Sequence, residues 1–154
     1  MKIVRLATRA DLLPVVSRWV VEAFAEPGTP VDARVDALRE MFSESAYPFS
    51  LVAIDDNGPP FGCVHGVESE LDDRPELQPF IAALYVELQW RGRSVGSQLL
   101  ASAERECAAA GLSEAYLCAW NDPRWYERRG WQVIAARVGD RGVPLMRKTL
   151  APAK

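Results

Sequence analysis

Long apolar runs are missing from this sequence, and with them any stretch of membrane-spanning length. Metal-ligating side chains are scarce. There is one histidine, His65, and the three cysteines, Cys63, Cys107 and Cys118, stand at no metal-ligand spacing. No metal site is expected. An odd cysteine count without a framework reads as reduced core thiols in a cytoplasmic protein. The opening Met1 to Leu6 is too short and too soon interrupted by charge to read as a signal peptide. Positive charge is not in excess. Eighteen Lys and Arg against 21 Asp and Glu leave a net charge of −3, which argues against nucleic acid as the main partner, because phosphate binding needs a basic face. Internal repeats and low-complexity segments are also absent.

What is present is an ordinary globular composition. About half of the 154 residues are apolar (49%) and a quarter are charged, enough for one domain over 1–154 with a real core. Lys2 to Leu6 reads as a first strand. Thr8 followed by Asp11 resembles a capping box, and Leu12, Val16, Trp19, Val20 and Ala23 then mark one helical face. Pro27-Gly28-Thr29-Pro30 breaks that helix. A second helix is expected over Val31 to Ser43, with Val35, Leu38 and Phe42 inward. Phe49 to Ile54 and Phe61 to Val67 read as strands joined by a turn around Asp55-Asp56-Asn57-Gly58. Glu68 to Pro79 is an acidic loop that could attract a cation. Phe80 to Val86, nearly all apolar, fits a strand covered on both faces. Val95, Leu99, Ala103 and Cys107, at four-residue steps, predict a helix closed by Gly111. Glu114 to Ala119 is a strand. Asn121-Asp122-Pro123 starts a short helix ending near Gly130, which Asn121 can cap. Trp131 to Ala136 and Val143 to Lys148 are the last two strands. The tail from Ala151 to Lys154 has little to hold it.

The stretch from Leu84 to Leu100 organises the rest. A buried strand runs through a basic turn into a helix, and a helix N-terminus offers unpaired N–H groups to an anion. Arg91 and Arg93 add charge; each can pair with phosphate or remain a solvated surface group. Arg91-Gly92-Arg93-Ser94-Val95-Gly96 resembles the (Gln/Arg)-x-x-Gly-x-(Gly/Ala) pyrophosphate loop of the GNAT superfamily of acyl-CoA-dependent N-acyltransferases, with Ser94 where the first glycine falls; a serine there is also a good helix cap. Trp125-Tyr126-Glu127-Arg128-Arg129-Gly130-Trp131 is similar to a second segment of that family. The element order β-α-α-β-β-β-α-β-α-β-β matches over essentially the whole chain.

The resemblance implies an α/β (α+β) fold: a mostly antiparallel sheet of seven strands flanked by four helices. It implies acetyl-CoA as cofactor, an amine of a small molecule or peptide as acceptor, and leaves room for a homodimer. The cofactor-binding residues it implies are Leu84, Tyr85 and Val86 through their backbones, Arg91, Gly92, Arg93, Ser94, Val95, Gly96 and Ser97 around the phosphates, and Asn121, which lies closer to Tyr126 than the family's asparagine does. Tyr126 falls on the tyrosine that protonates the departing thiolate, a task suited to a phenol with a pKa near ~10. The base is harder to read. A primary amine is almost wholly protonated at pH 7, and freeing it costs about 4 kcal/mol. Phe80 and Ala82 hold the strand positions where some members carry a titratable base. Glu87, Glu76 and Glu70 are the nearby carboxylates, with Glu87 the candidate carried forward; a water chain to a distant carboxylate is the other route. His65 on its strand reads first as a packed histidine. No cysteine sits in a nucleophile setting, which favours direct transfer. The alternatives are a non-catalytic acyl-CoA sensor and an interaction domain on the same fold.

Overall fold

The computed structural model describes residues 1–25, 28–41, 47–56 and 58–152. The expectations for Pro27, for Phe42 and the helix end at Ser43, for Asn57 and for the last two residues lie outside these. The described residues form strand β1 (Lys2–Arg5), helices α1 (Leu13–Phe24) and α2 (Val31–Met41), strands β2 (Phe49–Ile54), β3 (Pro60–Val67) and β4 (Phe80–Val86), helix α3 (Val95–Ala109), strand β5 (Glu114–Cys118), helix α4 (Pro123–Glu127), and strands β6 (Gln132–Val138) and β7 (Val143–Thr149). The strands make one sheet in the order β1-β2-β3-β4-β5-β7-β6. Every neighbouring pair is antiparallel except β4 and β5. The expected fold class is therefore observed.

Period-two alternation distributes β2 between two cores. Phe49, Leu51 and Ala53 pack with Val95, Leu99, Ala103 and Cys107 of α3 on one face. Val52 and Ile54 pack with Val16, Trp19 and Val20 of α1 and Leu38 of α2 on the other. The four-residue stripe of α3 is buried as its spacing requires. Its C-terminus closes as expected. Gly111, at φ +87°, donates to Ala108 O, and Leu112 donates to Cys107 O, the paired bonds of a Schellman cap.

Three local expectations are corrected. Thr8 does not cap α1: its hydroxyl donates to Arg5 O, two short 3-10 turns intervene, and α1 starts at Leu13 with Pro14 in its first turn. Ala23 is exposed rather than in the core stripe. Asp122, not Asn121, caps α4, accepting a hydrogen bond from the Arg124 backbone N–H at 3.0 Å.

Candidate active site

The sheet is interrupted at its centre. The β4–β5 pairing consists of Phe80 opposite Tyr116, with Tyr116 N–H donating to Pro79 O at 2.9 Å. Beyond that point the ladder stops and the two strands part. β4 is also irregular on its other side. Its register with β3 shifts between Cys63 and His65, and Ala83 there adopts φ +52°, the left-handed region that costs an alanine roughly 1–2 kcal/mol. The opening and the bulge leave β4 backbone unpaired by β5, as a strand that must bond a ligand requires.

Two cavities lie at this opening. The first, about 650 Å³, is walled by α1, α2, the end of β3 with Glu68, Ser69 and Glu70, the middle of β4, and Leu117 and Cys118 of β5. The second, about 900 Å³, is bordered by Leu84, Tyr85 and Val86, the turn into α3, and α4. Phe24, Leu84, Trp120, Asn121 and Tyr126 border both. Tyr126 thus stands at their junction, edge-on to Trp125 with ring centroids 4.9 Å apart.

The second cavity gathers most of the residues expected at a phosphate-bearing ligand. Leu84, Tyr85, Val86, Arg91, Gly92, Ser94, Val95, Gly96, Ser97 and Asn121 all border it. Arg93 does not. Its guanidinium lies over the Trp90 ring, 5.2 Å from the centroid. Arg91 is held by a 2.8 Å bond from Nε to Val86 O and lies over Tyr85. Ser94 precedes α3 in the left-handed conformation, φ +64°, and its side chain makes no capping bond, so the expectation that its hydroxyl caps the helix is not met. Two basic residues that the sequence reading passed over join the wall: Arg128 and Arg129. Arg129 stacks 3.8 Å above the Trp125 ring, donates to Ser97 Oγ through Nε and Nη2, and donates to Trp125 O through Nη1. It therefore ties α4 to the first turn of α3. The signal was the Arg-Arg pair just before Gly130, at the variable positions of the second motif.

The donor set fits a pyrophosphate. A 15-residue helix presents its N-terminus, Gly92 at φ +78° has nothing within 4 Å of the position a Cβ would take, and three guanidinium groups stand around the opening.

The first cavity carries different chemistry. Its titratable lining is Arg34, His65, Glu68, Glu70, Cys118 and Tyr126. Glu70 is open to the cavity by area, yet protein surrounds its carboxyl closely enough that lost hydration pushes it up to about 7. Burial, with Glu70 adding to it, raises the Tyr126 phenol further above its ordinary range, so it keeps its proton at neutral pH. His65 is buried, and desolvation together with the Arg34 charge lowers it to about 3; it is neutral. Cys118 is pushed up to about 12 by burial, with Glu70 contributing. A thiol held that far above neutral pH supplies no thiolate. Glu87 is not brought to either cavity. The Trp19 indole donates to its Oε1, and it borders neither wall. Among the described residues no group of three His, Cys, Asp or Glu could hold a metal ion.

Residues 48–133, more than half of the chain, match the family model described as an acetyltransferase (GNAT) domain. The chain belongs to the GNAT acetyltransferase family. No curated protein matches the sequence. Among solved structures, an aminoglycoside 6'-N-acetyltransferase complexed with coenzyme A superposes with TM-score 0.75 at 17% identity, covering 100% of this chain and 99% of that one. An aminoglycoside 6'-acetyltransferase type Ii gives TM-score 0.72 at 20% identity, with 100% of each chain covered. N-acetylglutamate synthase from Neisseria gonorrhoeae, complexed with coenzyme A and L-arginine, gives 0.71 at 18% identity, covering 97% of this chain and 33% of that chain. At these identities the likeness establishes the GNAT fold, and the coenzyme A in two of these neighbours agrees with the expected cofactor. No helix among the described residues is long and apolar enough to cross a membrane. Within the GNAT frame, Ser94 acquires a physical meaning. The family's glycine falls where this chain needs a positive φ, and Ser94 adopts it at a cost of about 1 kcal/mol.

Proposed function

We propose that residues 1–154 act as one N-acetyltransferase domain, passing the acetyl group of acetyl-CoA directly to the amine of a small molecule or peptide. The observation that carries this reading is the meeting of the two cavities at Tyr126, beside the parting of β4 and β5. The helix α3 N-terminus, Arg91, Arg128 and Arg129 hold the phosphates. The backbone of Leu84 to Val86 bonds the arm that reaches inward, and an N–H from this strand steadies the thioester oxygen. Bound acetyl-CoA supplies an acetyl group activated as a thioester.

Glu70 replaces Glu87 as the base. A carboxylate with a pKa of about 7 is half ionised at neutral pH, and it is a far better match to an ammonium proton than an ordinary glutamate. It takes one proton from the acceptor nitrogen. The nitrogen then bonds the acetyl carbon as the carbon–sulfur bond breaks, the Tyr126 hydroxyl gives its proton to the leaving sulfur, and the nitrogen's second surplus proton, lost to solvent, is balanced by one that returns to the Tyr126 phenolate. The products are an amide and a free thiol. The elevated pKa of Cys118, the cysteine in the acceptor cavity, supports direct transfer over a covalent enzyme intermediate.

The test is coenzyme A release from acetyl-CoA across amines of several classes, followed by chromatography. Turnover with one class, lowered by both Glu70→Gln and Tyr126→Phe, supports the reading. Acetyl-CoA binding without turnover on any amine favours a cofactor sensor instead.

A further inference from the structure

The acceptor cavity carries charges of both signs, on different elements of the chain. Arg34, on α2, lies close enough to His65 in the body of β3 for its charge to depress that imidazole. Glu68 and Glu70 stand beyond the C-terminal end of β3, where Glu70 acts on Cys118 and Tyr126. Arg34 makes no hydrogen bond or ion pair with any described residue, and it is only partly exposed. The same lining has an apolar part, with Val20, Phe24, Leu38, Pro48 and Trp120. A guanidinium that lines a cavity and is paired with no described carboxylate is open to one brought by a ligand, and its planar fork suits two parallel bonds. A ligand with several ammonium groups would instead set a second cation against Arg34 in a partly dry site, an unfavourable contact.

We propose that the acceptor is a zwitterion, an α-amino acid or closely related aminocarboxylate with an apolar side chain, its carboxylate on Arg34 and its amine toward Glu70. This rests on the acetyl-transfer reading above and narrows its acceptor. The apolar part of the lining receives the side chain. The fold shared with aminoglycoside acetyltransferases does not fix the acceptor, because the site and not the fold selects it.

The test compares matched pairs: L-leucine against isopentylamine, and L-phenylalanine against phenethylamine, with a polyamine and an aminoglycoside alongside. Coenzyme A release is expected to favour the amino acid of each pair by at least ~10-fold in kcat/KM. Arg34→Gln is expected to collapse that ratio to near one, and Arg34→Lys to restore part of it. Equal or faster turnover of the decarboxylated amines, or of the polycations, overturns the proposal from the wild-type protein alone. An Arg34→Gln effect of the same size on both members of a pair also overturns it. Release with no acceptor would remove acetyl transfer; calorimetry of L-leucine and L-phenylalanine in the presence of coenzyme A then decides the acceptor class separately. Binding weakened by Arg34→Gln supports it, and absence of binding overturns it.

Discussion

The cofactor cavity and the acceptor cavity share the wall at Tyr126 but are assembled from different kinds of sequence. The cofactor side is nearly continuous in the chain. Leu84 to Ser97 supply the strand, turn and helix start, Trp120 to Arg129 supply most of the rest, and α1 adds Ala23 and Phe24. The acceptor side is drawn from α1, α2, the β3–β4 loop and three strands, β3, β4 and β5. A pyrophosphate is met by backbone N–H groups, whose geometry a local motif can set. An acceptor is met by side chains of unrelated segments, which no local spacing relates. The same contrast separates Arg129, fixed to both Ser97 and Trp125, from Arg34, which is bonded to no described residue.

The largest effect should come from filling the cofactor turn. Gly96 borders the cavity, and a Cβ there would sit 3.6 Å from the Trp125 ring, so a methyl fits while a longer side chain must project into the ligand space. Gly96→Leu is expected to weaken acetyl-CoA binding by roughly 100-fold or more, measured by calorimetry, with circular dichroism unchanged. Unaltered affinity would break the assignment of this turn.

Glu70→Gln should act on the other cavity alone. We expect kcat/KM to fall by about 100-fold with acetyl-CoA affinity held within a few-fold. The pH profile sharpens the point. Glu70 works only when deprotonated and its carboxyl titrates at about 7, so wild-type activity should rise as pH climbs through about 7. That limb should disappear in the variant. Persistence of the limb would transfer the base to another group.

Tyr126→Phe sits on the shared wall and should lower kcat about 30-fold while leaving acetyl-CoA affinity nearly intact. An equal loss of affinity would make Tyr126 a packing residue. The smallest effect is expected at Ser94. Its left-handed backbone favours glycine, so Ser94→Gly should raise stability to denaturant by about 1 kcal/mol without weakening the cofactor. Destabilisation would mean that the Ser94 side chain supports the turn.

The legible part of the molecule is the part written in short-range pattern. The α3 stripe and its Gly111 cap, the apolar strands β2 to β4 and the turn at Gly92 follow from spacing alone. The misreadings have a common cause. Thr8, Ala23 and Asn121 each fit a local rule, but a neighbour took the role: Leu13 and Pro14 began α1, the cavity left Ala23 exposed, and Asp122 capped α4. Glu87 was nearest in sequence to the cofactor strand, yet Trp19 holds it elsewhere, while Glu70 arrives from a loop. In the sequence Glu70 was one of three nearby carboxylates, with Glu87 and Glu76, and no spacing ranked it above them.

By itself the sequence determined the element order, the buried stripe of α3 and the strand-turn-helix from Leu84 to Leu100, because each depends on residues within one or two turns of one another. Tertiary structure alone decided where β4 leaves β5, that Ala83 is bulged, that Glu70 and Tyr126 share a cavity, and that Arg34 faces it from α2. Those features depend on how far strands separate and which distant side chains lose water together. Hydration lost to neighbours far apart in the chain is what gives Glu70 its raised pKa.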